Sequence, residues 1–399
     1  MTKTDVGPVP RLDFDPFAPD VRSDPADFQI ALRRAGGLVY VPLHGIYATG
    51  RYAEVRAAFV DWQSFESSAG VGILNYKKQR QWREPSPLIE ADPPYHDATR
   101  RVLSRILSPR ALRVLRDRWF ADAETLVDEL AGRTSIDAVT AITRVFPLRV
   151  FPDAVGIGVE GRESLLPYGN HGMNTNGPRN DLVRAEEERI ARIQPWIDAQ
   201  CERSALSPGG FGAQIWAAAD AWDITARQAA LAVRSLLTAG VDTTVNGIAS
   251  VLAAFSRFPD QWRRLREDPS LVRVAFDEAV RLESPVQSMC RTAVRNVAIG
   301  DAVVPAGEKL YLSIAAANRD PRRWTQPDVF DLTRDPSGQI GFGMGIHQCV
   351  GQHVARLEAE ALLTALVRRV SSLEAAGPAV IKVNNTLRTW DSLPLRLQW

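Results

Sequence analysis

Apolar residues recur along most of the chain at the three- and four-residue intervals of amphipathic helices. One such region covers residues 101–119 and is interrupted at Pro109, because proline cannot continue a regular helix. The longest predicted helix begins near Thr225, since Thr225 and Gln228 have the spacing of a capping box. This helix extends to about Phe258, which is followed by a proline.

Shorter patterns complete the predicted architecture. A helix opened by Pro269 ends near Ser284, and a last long helix begins at Cys349. Residues 38–50 alternate with a period of two and predict a hairpin of a small sheet. A second β pattern covers residues 303–313, with Pro-Ala-Gly as its turn. The chain is therefore expected to be mainly α-helical with a minor β-sheet.

Composition limits the size, partners and location of the protein. The 399 residues are 45% hydrophobic, which is enough for a core that encloses a cofactor. The formal net charge of +1 gives no general reason to expect a nucleic acid or an anionic membrane as partner. Residues 1–28 lack the apolar stretch of a signal peptide, and no apolar run reaches the roughly 18 residues of a membrane span. We therefore expect a cytoplasmic protein.

Domain organisation and cysteine content agree with a cytoplasmic enzyme. Length alone suggests two or three domains, but one set of motifs spans most of the chain, so we expect a single domain over residues 1–399. Three cysteines occur, Cys201, Cys290 and Cys349, far apart and odd in number. They argue against a disulfide framework and suit a reducing compartment.

The strongest chemical signal is the glycine-rich loop 341–351, GFGMGIHQCVG. Its glycines permit close approach of the backbone to a flat ligand. Cys349 lies where a helix is predicted to begin, and free N–H groups there favour thiolate over thiol. A structural cysteine is the alternative interpretation. His347 and Cys349 also resemble a pair of zinc ligands, but the sequence has no second pair at ligand spacing.

This loop resembles that of the bacterial cytochrome P-450 monooxygenases. The resemblance implies the P-450 fold, with haem b between the long oxygen-activating helix and the helix that follows the cysteine loop. It assigns the axial iron ligand to Cys349 and contact with a haem propionate to His347. In similar enzymes, His96, Arg100 and Arg291 would also bind propionates, which suits the strength of guanidinium–carboxylate contacts.

The segment Ala-Gly-Val-Asp-Thr-Thr at 239–244 lies in the middle of the longest predicted helix. Glycine and three β-branched residues lower helix propensity, so a local distortion is expected. A carboxylate and a hydroxyl together could hold water and pass protons. The family assigns this work to an acid–alcohol pair, here Asp242 and Thr243. The alternative is a threonine bonded back to the helix and an aspartate in a buried salt bridge.

Longer stretches resemble the P-450 class that demethylates para-substituted benzoates, including FPDAVGI, VRSLLTAGVDTTVNGI, AANRDPRRW and NNTLR. In that class, two Arg-Ser sets bind the substrate carboxylate, and they fall here on Arg83 with Ser86 and on Arg234 with Ser235. Ser235 precedes Thr243 by eight residues, or roughly 12 Å of helical rise. That span fits one aromatic ring. The alternative is that both arginines face solvent or pair with acids.

Three positions depart from that class, which has phenylalanines where this chain has Met173, Asn176 and Met289. Loss of aromatic walls should weaken ring stacking and change the shape of the pocket. Asn176 would be able to bond a hydroxyl or a second methoxy group. We therefore expect a more substituted benzoate or a longer aryl acid as substrate.

Partners follow from the same resemblance. The region from residue 100 onward is rich in arginine, with Arg101, Arg105, Arg110, Arg113, Arg116 and Arg118. They form either a solvated basic face or the docking face for an acidic ferredoxin that an NAD(P)H-dependent reductase supplies with electrons. O2 is the second substrate. Two alternative functions stay open here: a monooxygenase of a neutral substrate such as a terpene, and a haem protein that only senses a ligand.

Overall fold

The computed structural model describes residues 9–81 and 83–399, so the start of the polar N-terminal segment, residues 1–8, lies outside the described residues. Helices dominate, with 51% of residues helical. The α-helices are α1 Pro19–Ser23, α2 Ala26–Ala35, α3 Tyr52–Val60, α4 Tyr95–Ile106, α5 Pro109–Glu129, α6 Val145–Val155, α7 Leu165–Asn174, α8 Asp181–Arg184, α9 Glu187–Gln200, α10 Phe211–Asp220, α11 Ala226–Ala239, α12 Asp242–Arg257, α13 Pro259–Glu267, α14 Val272–Glu283, α15 Ile314–Asn318 and α16 Gln352–Arg369.

The strands are short and form a minor part of the molecule. They are β1 Val39–Val41, β2 Ile46–Thr49, β3 Phe65–Glu66, β4 Ser135–Asp137, β5 Ser288–Ala293, β6 Val297–Ile299, β7 Ala302–Val304, β8 Lys309–Ser313, β9 Ser372–Ala375, β10 Val380–Lys382, β11 Thr389–Ser392 and β12 Pro394–Gln398. A π-helix, Val139–Thr143, precedes α6, and 3-10 turns occur at Arg162–Ser164, Arg203–Ala205, Pro269–Leu271 and Gly345–His347. The mainly α architecture with a minor sheet is confirmed.

The largest sheet has five strands in the order β1-β2-β8-β5-β3. Strands β2 and β8 run parallel, and the other neighbours run antiparallel. Alternate residues of β8 face opposite sides, so Leu310 and Leu312 pack in one apolar cluster while Tyr311 packs in another. A separate and larger apolar core lies among the helices. The sheet therefore forms one flank of a helical body.

The predicted helices are confirmed with shifted ends. Thr225 and Gln228 form both hydrogen bonds of a capping box, and α4 and α5 meet at Pro109. The helix opened by Pro269 starts as a 3-10 turn before α14. The last helix begins at Gln352 rather than at Cys349, because the Cys349 N–H donates to the Phe342 carbonyl of the preceding loop.

The β predictions are confirmed in position. Strands β1 and β2 form the expected hairpin. Strands β7 and β8 lie on either side of the Pro-Ala-Gly turn, as the second β pattern predicted. These two strands belong to different sheets: β7 pairs with β6, and β8 lies between β2 and β5. The pattern did not reveal β5 and β6, which supply the partners.

The longest predicted helix is divided at Gly240–Val241 into α11 and α12. A Cβ atom at Gly240 would lie 2.2 Å from the ring of Phe151, so only glycine permits this approach. The segment Ala226–Arg257 is long and apolar enough to span a membrane, but 78% of its most apolar window is buried inside the protein. Such burial is typical of an apolar helix in the core of a folded protein.

The C-terminal strand β12 is the middle strand of a three-stranded sheet, between β4 and β9. The loop before β11 is held to α7 by amide side chains. Asn384 Nδ2 donates to the Asn170 carbonyl at 3.1 Å, and Asn385 Nδ2 donates to the Asn174 carbonyl at 2.9 Å. The Asn384 carbonyl in turn accepts from Arg22 at 2.8 Å. This loop therefore joins α1, α7 and the C-terminal strands.

A buried charge network joins α14 to the loops that lead to the cysteine. Glu278 and Arg281 are fully buried, with side-chain exposures of 0%, and pair at 2.7 Å. Arg281 also donates to the carbonyls of Asn318, Pro327 and Val329. A buried pair of this kind is costly to break, because the remaining partner keeps its desolvation penalty.

We expect Arg281→Met to lower the free energy of unfolding by about 3 kcal/mol, since it leaves a buried carboxylate with one fewer partner. Equilibrium urea unfolding of the haem-loaded protein measures this loss. Arg263→Met is the matched control, because Arg263 pairs with Asp260 at the same helical spacing but with exposures of 69% and 77%. The control should change stability by less than about 0.5 kcal/mol. Equal losses in the two variants would contradict the prediction.

Candidate active site

A cavity lies between the α11–α12 span, the loop 341–351 and the start of α16. Cys349 is exposed to this cavity, although protein surrounds the loop. Burial raises the pKa of the Cys349 thiol, while the N–H groups of Gly351 and Gln352 and the charge of Arg100 act in the opposite direction. The sulfur therefore already has donors directed at it, and a bound metal cation opposite would favour the thiolate further.

A cluster of basic side chains lies at one edge of the same cavity. Arg100, Arg291 and His347 line the wall, and Arg100 also donates to the Gln348 carbonyl. His96 is buried behind His347, with the two ring centroids 4.6 Å apart. These four residues, which come from distant segments of the sequence and were expected to bind propionates, lie together in the fold.

The charges and the unsatisfied hydrogen-bond donors of this cluster suit a ligand with negatively charged groups along one edge. Among the described residues, His96 Nε2 and both ring nitrogens of His347 are buried without a hydrogen-bond partner, and Asp92 lies 3.7 Å from His347 Nε2. Burial lowers the pKa of Arg291 to about 10. Buried donors without acceptors cost free energy until a ligand satisfies them. A flat ring system with carboxylates at this edge and a metal near Cys349 fits the residues present.

Asp242 and Thr243 begin α12, directly after the break in the long helix. The Thr243 hydroxyl lines the cavity and donates to the Ala239 carbonyl at 2.7 Å. Asp242 is buried and accepts from Asn246 Nδ2 at 3.3 Å, and its other oxygen has no hydrogen-bond partner among the described residues. The threonine does bond back to the helix, as one interpretation expected, but no cation lies within ion-pair distance of Asp242 in the described part of the chain.

Burial raises the pKa of Asp242 to about 6, with Asn170 and Asn246 and the more distant charges of Lys382 and Arg144 opposing the shift. A carboxyl group with a pKa in this range exchanges its proton readily near neutral pH. Asn170 comes close to Asp242 because its neighbour Gly169 lets α7 pack tightly against α11 and α12. A Cβ atom at residue 169 would lie 2.7 Å from the Thr238 carbonyl oxygen. Helix α7 therefore contributes to the environment of the acid.

The two Arg-Ser sets meet at the other end of the cavity. Ser86 Oγ and Ser235 Oγ are 2.9 Å apart, and Arg83, Ser86, Arg234 and Ser235 all line the wall. Arg234 donates to the Glu84 carbonyl, and in the described part of the chain no carboxylate lies within 4.0 Å of it. Burial and the like charge of Arg83 lower the pKa of Arg234. This end of the cavity therefore repels further cations.

Glu90 is the counter-charge that the sequence analysis missed. It is buried and accepts from Arg83 at 2.9 Å, from the Ser86 N–H at 2.7 Å and from the Tyr76 hydroxyl at 2.7 Å. The Arg83 charge and these donors outweigh burial and lower the pKa of Glu90. One carboxylate thus faces two guanidinium groups, which leaves an excess positive charge beside the cavity. Its position four residues after Ser86 was the only sequence signal.

The walls between these ends are mostly apolar. Met173, Asn176 and Met289 all line the cavity, as the departures from the benzoate-demethylating class suggested. Asn176 is buried, and its side-chain Nδ2 lies 3.9 Å from Met173 Sδ, a weak acceptor. Because this partner is so weak, the Asn176 amide can still form a hydrogen bond with a ligand in the cavity.

Comparisons with known proteins agree with this fold and cavity. The cytochrome P450 family model matches residues 218–386. Cytochrome P450 CYP199A2 of Rhodopseudomonas palustris is 51% identical over 390 residues, covering 98% of this chain and 95% of the relative. The beta-dihydromenaquinone-9 omega-hydroxylase of Mycobacterium tuberculosis is 28% identical over 385 residues, covering 94% and 76%. The solved structure of CYP109Q5 from Chondromyces apiculatus has a TM-score of 0.81 and 28% identity, covering 97% of this chain and 98% of that one.

A helical fold around a cavity with a cysteine at one wall and a basic edge defines a haem-binding oxidoreductase. The chain belongs to the cytochrome P450 family. Members of this family bind haem b through a cysteine thiolate and act as monooxygenases, so this chain is a haem b monooxygenase. The P-450 fold expected from the sequence is confirmed.

We expect Asp242→Asn to stabilise the folded protein more at pH 8 than at pH 5, by a difference of about 1 kcal/mol. An acid whose pKa is raised on folding keeps its proton in the folded state after the unfolded chain has lost it, so it opposes folding increasingly as pH rises from about 4 to about 6, and by a constant amount above that. Turnover at saturating substrate should fall at least about tenfold, because asparagine cannot donate a proton. Urea unfolding at the two pH values and product formation measure these effects. A gain in stability that is equal at both pH values would contradict the assignment.

Proposed function

We propose that this monooxygenase oxidises a para-substituted benzoate or a related aryl carboxylic acid, by O-demethylation or hydroxylation, and that residues 1–399 act as one domain. The observation that carries the proposal is the excess positive charge at one end of the cavity, where Arg83 and Arg234 face the single carboxylate of Glu90. A neutral substrate such as a terpene would leave that charge unbalanced.

The substrate carboxylate would bind between the two Arg-Ser sets. Arg234 supplies a guanidinium without a carboxylate partner in the described residues, and Ser86 and Ser235 supply hydroxyl groups 2.9 Å apart. A carboxylate there gains charge-assisted hydrogen bonds at the end of a mostly apolar cavity. Arg83 would add to the field while Glu90 holds its guanidinium in place. The ring would then extend along α11 toward Thr243.

The residues at the cysteine end supply the chemistry. We propose that Cys349 ligates the haem iron and that His96, Arg100, Arg291 and His347 hold the propionate edge. When bound, the haem supplies reductive activation of O2, one atom of which enters a C–H bond while the other leaves as water. Asp242 and Thr243 would hold water and deliver protons on the cavity side. Hydroxylation of a methoxy carbon gives a hemiacetal that collapses to a phenol and formaldehyde.

Electrons would come from a ferredoxin and an NAD(P)H-dependent reductase. The helix α4 that carries Arg100 next to the cysteine loop also presents exposed arginines, which suits an acidic protein partner. Oxidation of one substrate requires two electrons and two protons for each O2, so the partner must dock twice if it carries single electrons. A location in the cytoplasm would place the protein beside both partners.

We expect 4-methoxybenzoate to shift the Soret band from low to high spin, while methoxybenzene does not. Arg234→Met should raise the dissociation constant of the acid at least tenfold, because it removes a charged hydrogen bond to the carboxylate, typically worth about 1.5–3 kcal/mol. Spectral titration of the purified ferric protein measures both. The matched control is Arg227→Met on the same helix, since Arg227 is 68% exposed and outside the cavity.

Three results would contradict the anchor. The first is binding of the acid with no spin shift, the second is equal binding of the two compounds, and the third is a loss of affinity in Arg227→Met as large as that in Arg234→Met. The first two results would move the substrate to a different class and leave the haem assignment intact. The third would show that the arginines act on the fold and not on the ligand.

We expect turnover to be faster for 3-hydroxy-4-methoxybenzoate than for 4-methoxybenzoate, because the Asn176 amide is available to the ring hydroxyl. Asn176→Leu should reduce this preference about tenfold, since it removes the hydrogen bond at nearly constant volume. Competition between the two acids in one reaction measures the ratio. Met173→Leu, three residues earlier in the cavity wall, is the control and should leave the preference for the hydroxylated acid unchanged. Wild-type preference for the plain ring would refute the role of Asn176.

A further inference from the structure

Trp222 combines a backbone conformation that is unfavourable for tryptophan with almost full exposure of its side chain to solvent. It lies in the turn between α10 and α11, its φ is +61°, and 92% of its surface is exposed. It is the most exposed of the large apolar side chains in the described residues. Bulky residues rarely adopt left-handed backbone, and an exposed indole leaves a large apolar area in water.

The turn explains the backbone conformation but not the residue. The N–H of Trp222 donates to the Ala219 carbonyl at 3.1 Å, and the N–H of Asp223 donates to the Ala218 carbonyl at 3.0 Å. These two bonds form a Schellman motif, whose left-handed position is normally glycine. Glycine would satisfy the turn without strain and without an exposed ring. A tryptophan here therefore has no local structural advantage.

The turn that carries Trp222 is tied to α4, the helix that also contacts the cysteine loop. Asp223 Oδ2 pairs with Arg105 Nη2 at 3.3 Å, which fixes the turn against the end of α4. Arg105 follows Arg100 by five residues, about 7.5 Å of helical rise, and Arg100 donates to the carbonyl of the residue before Cys349. The turn and the cysteine loop are therefore linked through one helix.

Two further features extend this patch. Arg101, Arg110 and Arg113 are exposed and make no ion pair within the described part of the chain. Val114, on the first turns of α5, is 83% exposed. Arg101 precedes Arg105 by one helical turn, and Arg110 and Arg113 lie at the start of the next helix, α5. Exposed arginines without ion pairs and an exposed tryptophan are the residue types that supply most hot spots of protein interfaces.

We propose that Trp222 is an anchor residue for the electron-donating partner, an acidic iron–sulfur protein, with Arg101, Arg110 and Arg113 as the surrounding charges. This inference rests on the ferredoxin dependence in the proposed function. A protein is favoured over a membrane because the turn is tied to α4, which contacts the cysteine loop, where electrons must enter. Charge complementarity favours an acidic carrier over a second copy of this chain, whose net charge is +1.

Trp222→Gly tests the anchor because it improves the turn while it removes the ring. The haem-loaded protein is reduced under carbon monoxide by a panel of acidic bacterial [2Fe–2S] and [3Fe–4S] ferredoxins, recycled by a reductase and NADH. The half-saturating ferredoxin concentration should rise about tenfold in the variant, as for loss of an interface hot spot. The maximal rate, reduction by dithionite and the substrate-induced Soret shift should not change, and the midpoint of thermal unfolding should not fall.

Controls separate the anchor from general effects. Leu43→Ala removes an apolar side chain that is 69% exposed in the β1–β2 turn, and it should leave the half-saturating concentration unchanged. Val114→Ala should raise it by a smaller factor than Trp222→Gly does. An unchanged half-saturating concentration in Trp222→Gly would overturn the inference.

Two other results would also overturn it by identifying a different occupant. One is loss of self-association in sedimentation experiments on Trp222→Gly, and the other is loss of its binding to vesicles that contain anionic lipid, each with normal ferredoxin kinetics. If no ferredoxin reduces the wild-type protein while dithionite does, the redox partner in the proposed function is refuted together with the anchor. The benzoate anchor is tested by ligand binding and is unaffected by that result.

Discussion

A single helical span crosses the cavity, and the positions of the other site residues depend on it. Helix α11 carries Arg234 and Ser235 at one end, and Asp242 and Thr243 begin α12 at the other. The spacing between these groups is set by helical rise and not by loops, so the cavity has a fixed length. At the break, Gly240 and Val241 keep right-handed helical backbone angles, and Phe151 occupies the space that a side chain at residue 240 would need.

The two ends of this span differ in their electrostatics. At the Arg-Ser end, two buried guanidinium groups face one carboxylate, and the anionic substrate that we propose would balance the excess charge. At the Asp242 end, amide groups rather than cations surround the acid, so burial raises its pKa instead of a salt bridge lowering it. An end with excess positive charge and an end that can be protonated, both on one helical span, would together orient the proposed substrate.

Much of this site could be predicted from residue types at close spacing along the chain. The loop 341–351, the acid–alcohol pair and the capping box at Thr225 are local patterns, and the structure shows the same neighbours. Glu90 and Asn170 were missed, because each joins the site only through the packing of distant segments. The pairing of β7 and β8 was not predicted for the same reason, because their partners β6 and β5 are set by tertiary contacts. Trp222 was missed because no sequence pattern marks the left-handed position of a turn where glycine is absent.

The C-terminal strands have a consequence for biosynthesis. Asn384 and Asn385 hold α7, the backbone N–H of Trp390 donates to Asn246 Oδ1 beside Asp242, and β12 is the middle strand of its sheet. These supporting contacts come from a segment that is translated after both the anchor arginines and Cys349. We therefore expect haem capture to be a late step in the synthesis of this chain.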